Sequence, residues 1–477
     1  MPNQREKIIK QVNMKISAFI LSLILCMICS CNESEKNVDF YAGVAQSVIT
    51  PPEGTFMVEP RGKTSTGTHD GLFVKALTLG DGKNMIVIVS FDLSGLNELQ
   101  VNNIRKAVFD STGIKAEQLM LSCTHSHNTP ASYHMHRKNE WNEQWEKQMI
   151  AVAVETIKHA VNNLEKVSIS QGTAPVQIGF NRRLNESSYA SMAPNPNGPV
   201  LKETDAVFIK DDKSETAVLF SYAAHPVCVH STSTEFSADY PGYAAKYIQS
   251  RYPGSIPVFL QGCGGNVNST LRGGHEAAES DGNKLGEAVI KSAESSKTII
   301  PSRILYGQRN FYLPYQDIDK ETAELVIKRI EESMDVMKEK NPDFTPGVAH
   351  KDMLTWAHRV KDMAENGELQ KGLSFQAQAF ALGKSLAIIA FPDEVFVDYA
   401  LYIKEHSPFE QTIVLGYTNG KRGYIPSAEA FYLGGYEVVR AQQAVNLPYL
   451  TPACDKIIKT ESMKLLNELW EKCSYTK

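Results

Sequence analysis

The residues best placed to do chemistry begin at Leu119-Met-Leu-Ser-Cys-Thr-His125-Ser-His127-Asn-Thr-Pro130. A short apolar run feeds two histidines spaced i, i+2. In an extended strand alternate side chains share a face, so His125 and His127 would project together, about 6.5–7 Å apart along the chain. Two imidazoles so placed can reach one metal ion. Zinc takes three or four N, O or S ligands, and a catalytic zinc keeps one position open for water. A lone His-x-His is equally the mark of two polar residues at a strand end, so the chain must supply further donors.

Two later segments repeat the design. Ala217–Tyr222 is an apolar run that ends near His225, at the strand end where open α/β sheets place their sites. His225 is the candidate third ligand; His230, in a Ser/Thr-rich loop, is its competitor and reads as a solvated residue. Ser385–Phe391 runs into Pro392-Asp393-Glu394, where Glu394 reads either as a site carboxylate or as a first-turn acid that suits a helix dipole. Asp92, at the end of Met85–Phe91, is either a site residue or the cap of a helix that begins near Glu98. Ile256–Gln261 leads into Gly262-Cys-Gly-Gly-Asn-Val-Asn268, whose glycines mark a tight turn or a close approach. No Gly-Lys-Ser/Thr follows, which argues against a phosphate loop.

The elements that must position these residues follow from periodicity. Strands are expected at 43–50, 72–79, 85–91, 119–122, 167–180, 217–222, 256–261, 375–382, 385–391 and 412–416. Helices are expected at 98–109, 141–164, 237–250, 276–294, 319–339 and 456–470. Asp81-Gly82 is a hairpin signal, and 339–348 reads as a surface loop. Strands alternating with helices predict an α/β fold of layered mixed β-sheets flanked by helices, with the site at the strand C-terminal ends.

Met14 to Cys31 holds a lysine, a short apolar run and Ile28-Cys-Ser-Cys31, which resembles a lipobox. The expectation is a lipoprotein signal peptide over 1–30, lipidation at Cys31, a tether over 31–40 and one catalytic domain over 41–477. That places the protein in the bacterial envelope, on the periplasmic or cell-surface side, with the membrane as a partner through its anchor. Net charge is −5 with no basic stripe, so nucleic acid is not an expected partner, and no obligate protein partner is evident. Five of the eight cysteines lie beyond Cys31, an odd and sparse set unlike a disulfide framework. Cys123, Cys228 and Cys263 lie close to the motifs; the expectation for them is packing as small hydrophobes.

In this order, Thr124-His-Ser-His127, Ala224-His-Pro226, Gly264-Gly-Asn-Val-Asn268, Pro392-Asp-Glu394 and Gly423-Tyr424 resemble the neutral (alkaline, non-lysosomal) ceramidases. Val48-Ile-Thr-Pro-Pro52 and His69-Asp-Gly-Leu-Phe73 are similar to that family's opening. The resemblance implies a zinc amidohydrolase, one Zn2+ per chain, held by His125, His127, His225, Glu394 and Tyr424. It places a second tyrosine twelve residues after the ligand tyrosine, here Tyr436, to polarise the scissile carbonyl. Asn268 stands where the family has a serine proposed as nucleophile, and an amide cannot fill that role. The family's C-terminal immunoglobulin-like domain is not expected here. With Tyr436, the Gly264 and Gly265 amides are candidate oxyanion donors, and Arg182 is either a substrate anchor or a surface arginine. The expected activity is hydrolysis of ceramide-like N-acyl sphingoid lipids by metal-activated water. The alternatives are another amide or ester, such as an acylated glycan, or a non-catalytic binding lipoprotein. An apolar acyl channel would favour lipid; a shallow polar cleft with aromatics such as Trp141 and Tyr133 would favour sugar.

Overall fold

The computed structural model describes residues 38–132, 139–185 and 189–474. The leader, Cys31, Tyr133, His134 and His136 lie outside the described residues.

Two sheets form the centre. The larger runs, in spatial order, Ile256–Gln261, Glu215–Tyr222, Glu203–Lys210, Glu165–Pro175, Phe40–Val48, Phe73–Gly80, Met85–Phe91 and Leu119–Cys123, with Lys297–Thr298 added on Glu165–Pro175. The second holds Ile304–Leu313, Leu373–Leu382, Leu386–Ala390 and Gln411–Leu415. Most neighbours are antiparallel. Three pairs are parallel: Met85–Phe91 with Leu119–Cys123, Glu215–Tyr222 with Ile256–Gln261, and Leu386–Ala390 with Gln411–Leu415. These strands are buried on both faces and so read as unbroken apolar runs rather than alternating ones.

The sheets share one apolar layer, in which Leu77, Ile88, Met120 and Leu260 of the first meet Phe380, Ile388, Ile413 and Leu415 of the second. Helices close the outside. Glu98–Thr112 and Glu140–Asn162 pack on one part of the larger sheet, and Asp239–Arg251 with His275–Ser292 on another. Val397–His406 and Ala453–Ser474 cover the second sheet. The result is a helix–sheet–sheet–helix sandwich, the layered α/β arrangement that the alternating pattern predicts.

Several expectations need correction. The run 167–180 is two strands, Glu165–Pro175 and Gly179–Leu184. Pro175 has no amide hydrogen to continue the ladder, and the Ile178 amide donates to the Tyr222 hydroxyl instead. Strand Ile304–Leu313 and helix Val348–Glu365 carry no sequence expectation. That helix pairs with Lys320–Lys340 around a satellite core of Ile327, Ile330, Trp356 and Val360. Asn97, not Asp92, caps the helix at Glu98, through a capping box with Gln100. The Asp92 carboxylate accepts from the Phe73 amide at 3.0 Å, and burial raises its pKa. No described helix is long and apolar enough to cross a membrane.

Candidate metal centre

The C-terminal ends of four strands converge on one point. Leu119–Cys123 leads to His125 and His127, Glu215–Tyr222 to His225, Leu386–Ala390 to Glu394, and Gln411–Leu415 to Tyr417, Lys421 and Tyr424.

The two histidines of the opening motif do not meet by strand alternation. The strand stops at Cys123, and His125 takes φ +68°, a left-handed conformation that costs a non-glycine residue of order 1 kcal/mol or more. Its amide donates to Leu93 O at 2.9 Å, which fixes that turn. The rings consequently stand at 84° with centroids 4.9 Å apart, and their Nε2 atoms lie 3.3 Å from each other.

Backbone carbonyls set the tautomers. His125 Nδ1–H donates to Ser94 O at 2.7 Å, and His225 Nδ1–H to Gly264 O at 2.8 Å. A neutral ring that donates through Nδ1 keeps a bare lone pair on Nε2. Glu394 Oε2 nevertheless lies 3.0 Å from His225 Nε2 and 3.3 Å from His125 Nε2. An acceptor oxygen facing two acceptor nitrogens is repulsive unless a cation sits between them. Zinc–nitrogen bonds of about 2.05 Å in a tetrahedron put neighbouring donors about 3.3 Å apart, which is the spacing seen. The Tyr424 hydroxyl, 3.4 Å from His225 Nε2, joins this ring of donors. His125, His127 and His225 offer ring nitrogens within 4.8 Å of one another. The residues therefore fit a divalent cation, and the structure brings all five expected ligands together.

Protonation states agree with that use. Burial, with Arg182 nearby, pushes His225 down to about 3. Burial and Lys421 lower His125, and burial with the other two imidazoles holds His127 well below the usual histidine range. Burial works to raise Glu394, but Lys421 and the histidines outweigh it and keep the carboxyl well below the ordinary carboxylate range. Neutral imidazoles and an ionised carboxylate are the ligating forms.

Around these donors stands a charged framework that motif reading does not reveal. Lys421 Nζ reaches Glu394 Oε1 at 3.0 Å. Its stem crosses Gly95, where a Cβ would lie 2.7 Å from Lys421 Cδ. Asp393, at φ +69°, accepts from the Arg422 and Gly423 amides and so folds the loop over Glu394. Glu394 is thus no first-turn acid: it pairs with Tyr424 in a two-residue parallel bridge before the helix at Val397 begins. Arg182 is buried within strand Gly179–Leu184, not a surface residue. It donates to Tyr424 Oη at 3.1 Å, Asn268 Oδ1 at 3.0 Å and Glu437 Oε1 at 2.9 Å. Glu437 also pairs with Arg183. The signal for Glu437 lies in the sequence directly after Tyr436, and that for Lys421 in Gly420-Lys-Arg-Gly423.

Tyr436, 37% exposed, stands perpendicular to Tyr424 with centroids 5.9 Å apart. With His127, Glu394, Lys421 and Tyr424 it lines a cleft. Val58, Ala441, Ala444 and Val445 contribute apolar lining to the cleft, and Glu59, Arg61 and Arg422 charged lining. Trp141 is not among the lining residues. The Gly265 amide donates to Val395 O at 2.9 Å and is spent as an oxyanion donor. A Cβ on Gly265 would fall on the Glu394 carbonyl oxygen, so its glycine serves the close approach of two site loops. Among the described residues the cysteines form no disulfide, and burial pushes the Cys123 thiol up to about 12 and Cys228 and Cys263 still further up. His230 is half-buried beside His127, with ring centroids 5.6 Å apart, rather than fully solvated.

Comparison with known proteins agrees with the resemblance. Residues 43–275 match the family described as neutral/alkaline non-lysosomal ceramidase, N-terminal. Neutral ceramidase from Pseudomonas aeruginosa superimposes with a TM-score of 0.68 at 16% identity, over 92% of this chain and 75% of that one. A ceramidase complexed with C2 gives 0.68 at 15% identity, over 91% and 76%. No curated protein sequence matches the chain.

Proposed function

We propose, from the match of residues 43–275 to the neutral/alkaline non-lysosomal ceramidase family, that this protein is a zinc-dependent amidohydrolase of ceramide-like N-acyl sphingoid lipids. The observation that carries the metal is Glu394 Oε2 set 3.0 and 3.3 Å from two lone-pair nitrogens. Three imidazoles with carboxylate and phenol oxygens suit zinc better than magnesium or calcium, which favour all-oxygen shells. When bound, the ion supplies Lewis acidity and lowers the pKa of water toward ~7.

The chain's own residues do the rest. His127 completes the donor ring on the cleft side. Arg182 fixes the Tyr424 oxygen and is itself held by Asn268 and Glu437, so Asn268 acts here as a positioning residue and not as a nucleophile. Lys421 balances the charge of Glu394. Tyr436, facing the cleft, is the donor for a developing oxyanion; one such donor is worth about 10²- to 10³-fold in rate. The apolar lining residues Val58, Ala441, Ala444 and Val445 are suited to an acyl chain.

A second reading, hydrolysis of an acylated glycan or other polar amide or ester, is favoured by Glu59, Arg61 and Arg422 in the lining of the same cleft. The test is fatty-acid release from N-acyl sphingosines beside N-acylated and O-acylated sugars, with Tyr436→Phe as control. Release from the sphingosines alone supports the first reading; release from the sugars alone replaces it. Export and anchoring through lipidated Cys31 belong to the same proposal, supported by the leader-like sequence alone. Metabolic fatty-acid labelling that persists in Cys31→Ala would reject the anchor.

A further inference from the structure

A second cluster of metal-ligating side chains lies outside the cleft. His69, Glu235 and His275 present donor atoms within 4.8 Å of one another. They come from three separate segments. Gly67–Thr68 pairs in parallel with Glu235–Phe236, and the His69 amide donates to Phe236 O at 3.0 Å, which brings the first two together. His275 opens helix His275–Ser292 after Gly273 and Gly274, whose amides both donate to Cys228 O at 3.0 Å.

Three details point to a ligand. Neither ring nitrogen of His275 makes a hydrogen bond, although both atoms are buried. Buried polar atoms are nearly always satisfied, so a pair left open on one ring asks for a partner. His275 Nε2 faces Glu235 Oε2 at 3.9 Å, too long for a hydrogen bond. On the other side, His69 Nε2 lies 2.9 Å from the Tyr243 hydroxyl. With Nε2–H donating to that oxygen, His69 Nδ1 keeps its lone pair, the way an outer hydrogen bond orients a ligating histidine.

We propose that His69, Glu235 and His275 form a second transition-metal site, distinct from the cleft centre and structural in role. Two imidazoles and a carboxylate select zinc or a neighbouring divalent ion over magnesium and calcium. The rings are stacked, with centroids 3.5 Å apart and planes at 14°. One ring must tilt for both lone pairs to meet the ion, and exposed His69 has the room to do so. Its effect would be to tie segment 67–69 and the start of the helix at His275 to the loop before Phe236. That loop also accepts both hydrogens of the Asn128 side-chain amide, at His230 O and Ser233 O, next to His127.

The experiment is Zn2+ titration of the full chain by calorimetry, with metal content measured after gel filtration, on wild type, His275→Ala, His275→Gln and His125→Ala. Wild type takes up a second equivalent of Zn2+ beyond the cleft ion and gains several degrees in Tm. Both His275 variants lose that equivalent and that gain while their hydrolytic rate stays within about twofold. His125→Ala retains the second equivalent, and Mg2+ gives no uptake there. If wild type and a folded His275→Gln bind the same amount of Zn2+, the cluster is a histidine stack and no metal site.

Discussion

Two clusters in this molecule offer similar donors, imidazoles and a carboxylate, yet are prepared for a metal to different degrees. At the cleft, Nδ1 of His125 and of His225 is pinned to a backbone carbonyl, and Glu394 is pinned by Lys421. At the outer cluster one imidazole is oriented by a tyrosine, the other by nothing but stacking, and Glu235 is 44% exposed at its side chain. The first holds its donors at tetrahedral spacing before any ion arrives. The second would have to assemble as the ion binds and give up affinity to do so. Orientation by groups behind the ligands, more than ligand identity, separates a catalytic centre from a clamp.

The largest effect that would break this comparison is at Glu394. Glu394→Gln removes the charge that balances the ion and Lys421, and roughly a 10³-fold or greater loss of hydrolysis is expected, with loss of the cleft ion. Steady-state kinetics and metal analysis on one preparation check it. Arg182→Met comes next: it leaves Glu437 with Arg183 alone and frees Tyr424 and Asn268. Removing one partner of a buried pair costs about 3–5 kcal/mol, measurable by denaturant unfolding. Lys421→Met is milder, with a loss of about 10- to 100-fold in metal affinity or activity, read by chelator competition.

The smallest expected effect is in pH. A depressed histidine contributes stability that is complete above the unfolded value of 6.5 and is lost as pH falls toward the folded one. For His225, folded near 3, the metal-free protein should lose stability progressively from about pH 6.5 to about pH 3. The cleft ligands are held in place by groups behind them and the outer ones are not, so on acidification the outer ion is expected to leave first. Dialysis at stepwise lower pH, followed by metal analysis of wild type and His275→Gln, orders the two releases.

What could be read from the residues follows their physics. Parallel strands buried on both faces announce themselves as apolar runs, and those before His125, His225 and Glu394 lead to the donors. Met85–Phe91, by contrast, leads only to Asp92, and the run before Glu394 leaves it open between a site carboxylate and a first-turn acid. Ile304–Leu313 lies at a sheet edge with Gly-Gln-Arg-Asn at its centre, which reads as a turn because solvent, not packing, meets one face. The left-handed turn at His125 is set by Leu93 and Ser94, some thirty residues away, so no local pattern announces it. Lys421 and Glu437 escaped for a related reason. A buried charge is recognisable only once its partner is placed, and Arg182 meets Glu437 across 255 positions of sequence.

The central claim is that the strand-end donors hold a catalytic zinc that serves amide hydrolysis. Its most direct test is fatty-acid release from an N-acyl sphingosine by wild type and Glu394→Gln, with zinc measured on the same samples after removal of loosely held ions. The account predicts one retained zinc and release in the wild type, and neither in the variant. Release that survives in a zinc-free variant, or a wild type that retains no zinc and still hydrolyses, would contradict it.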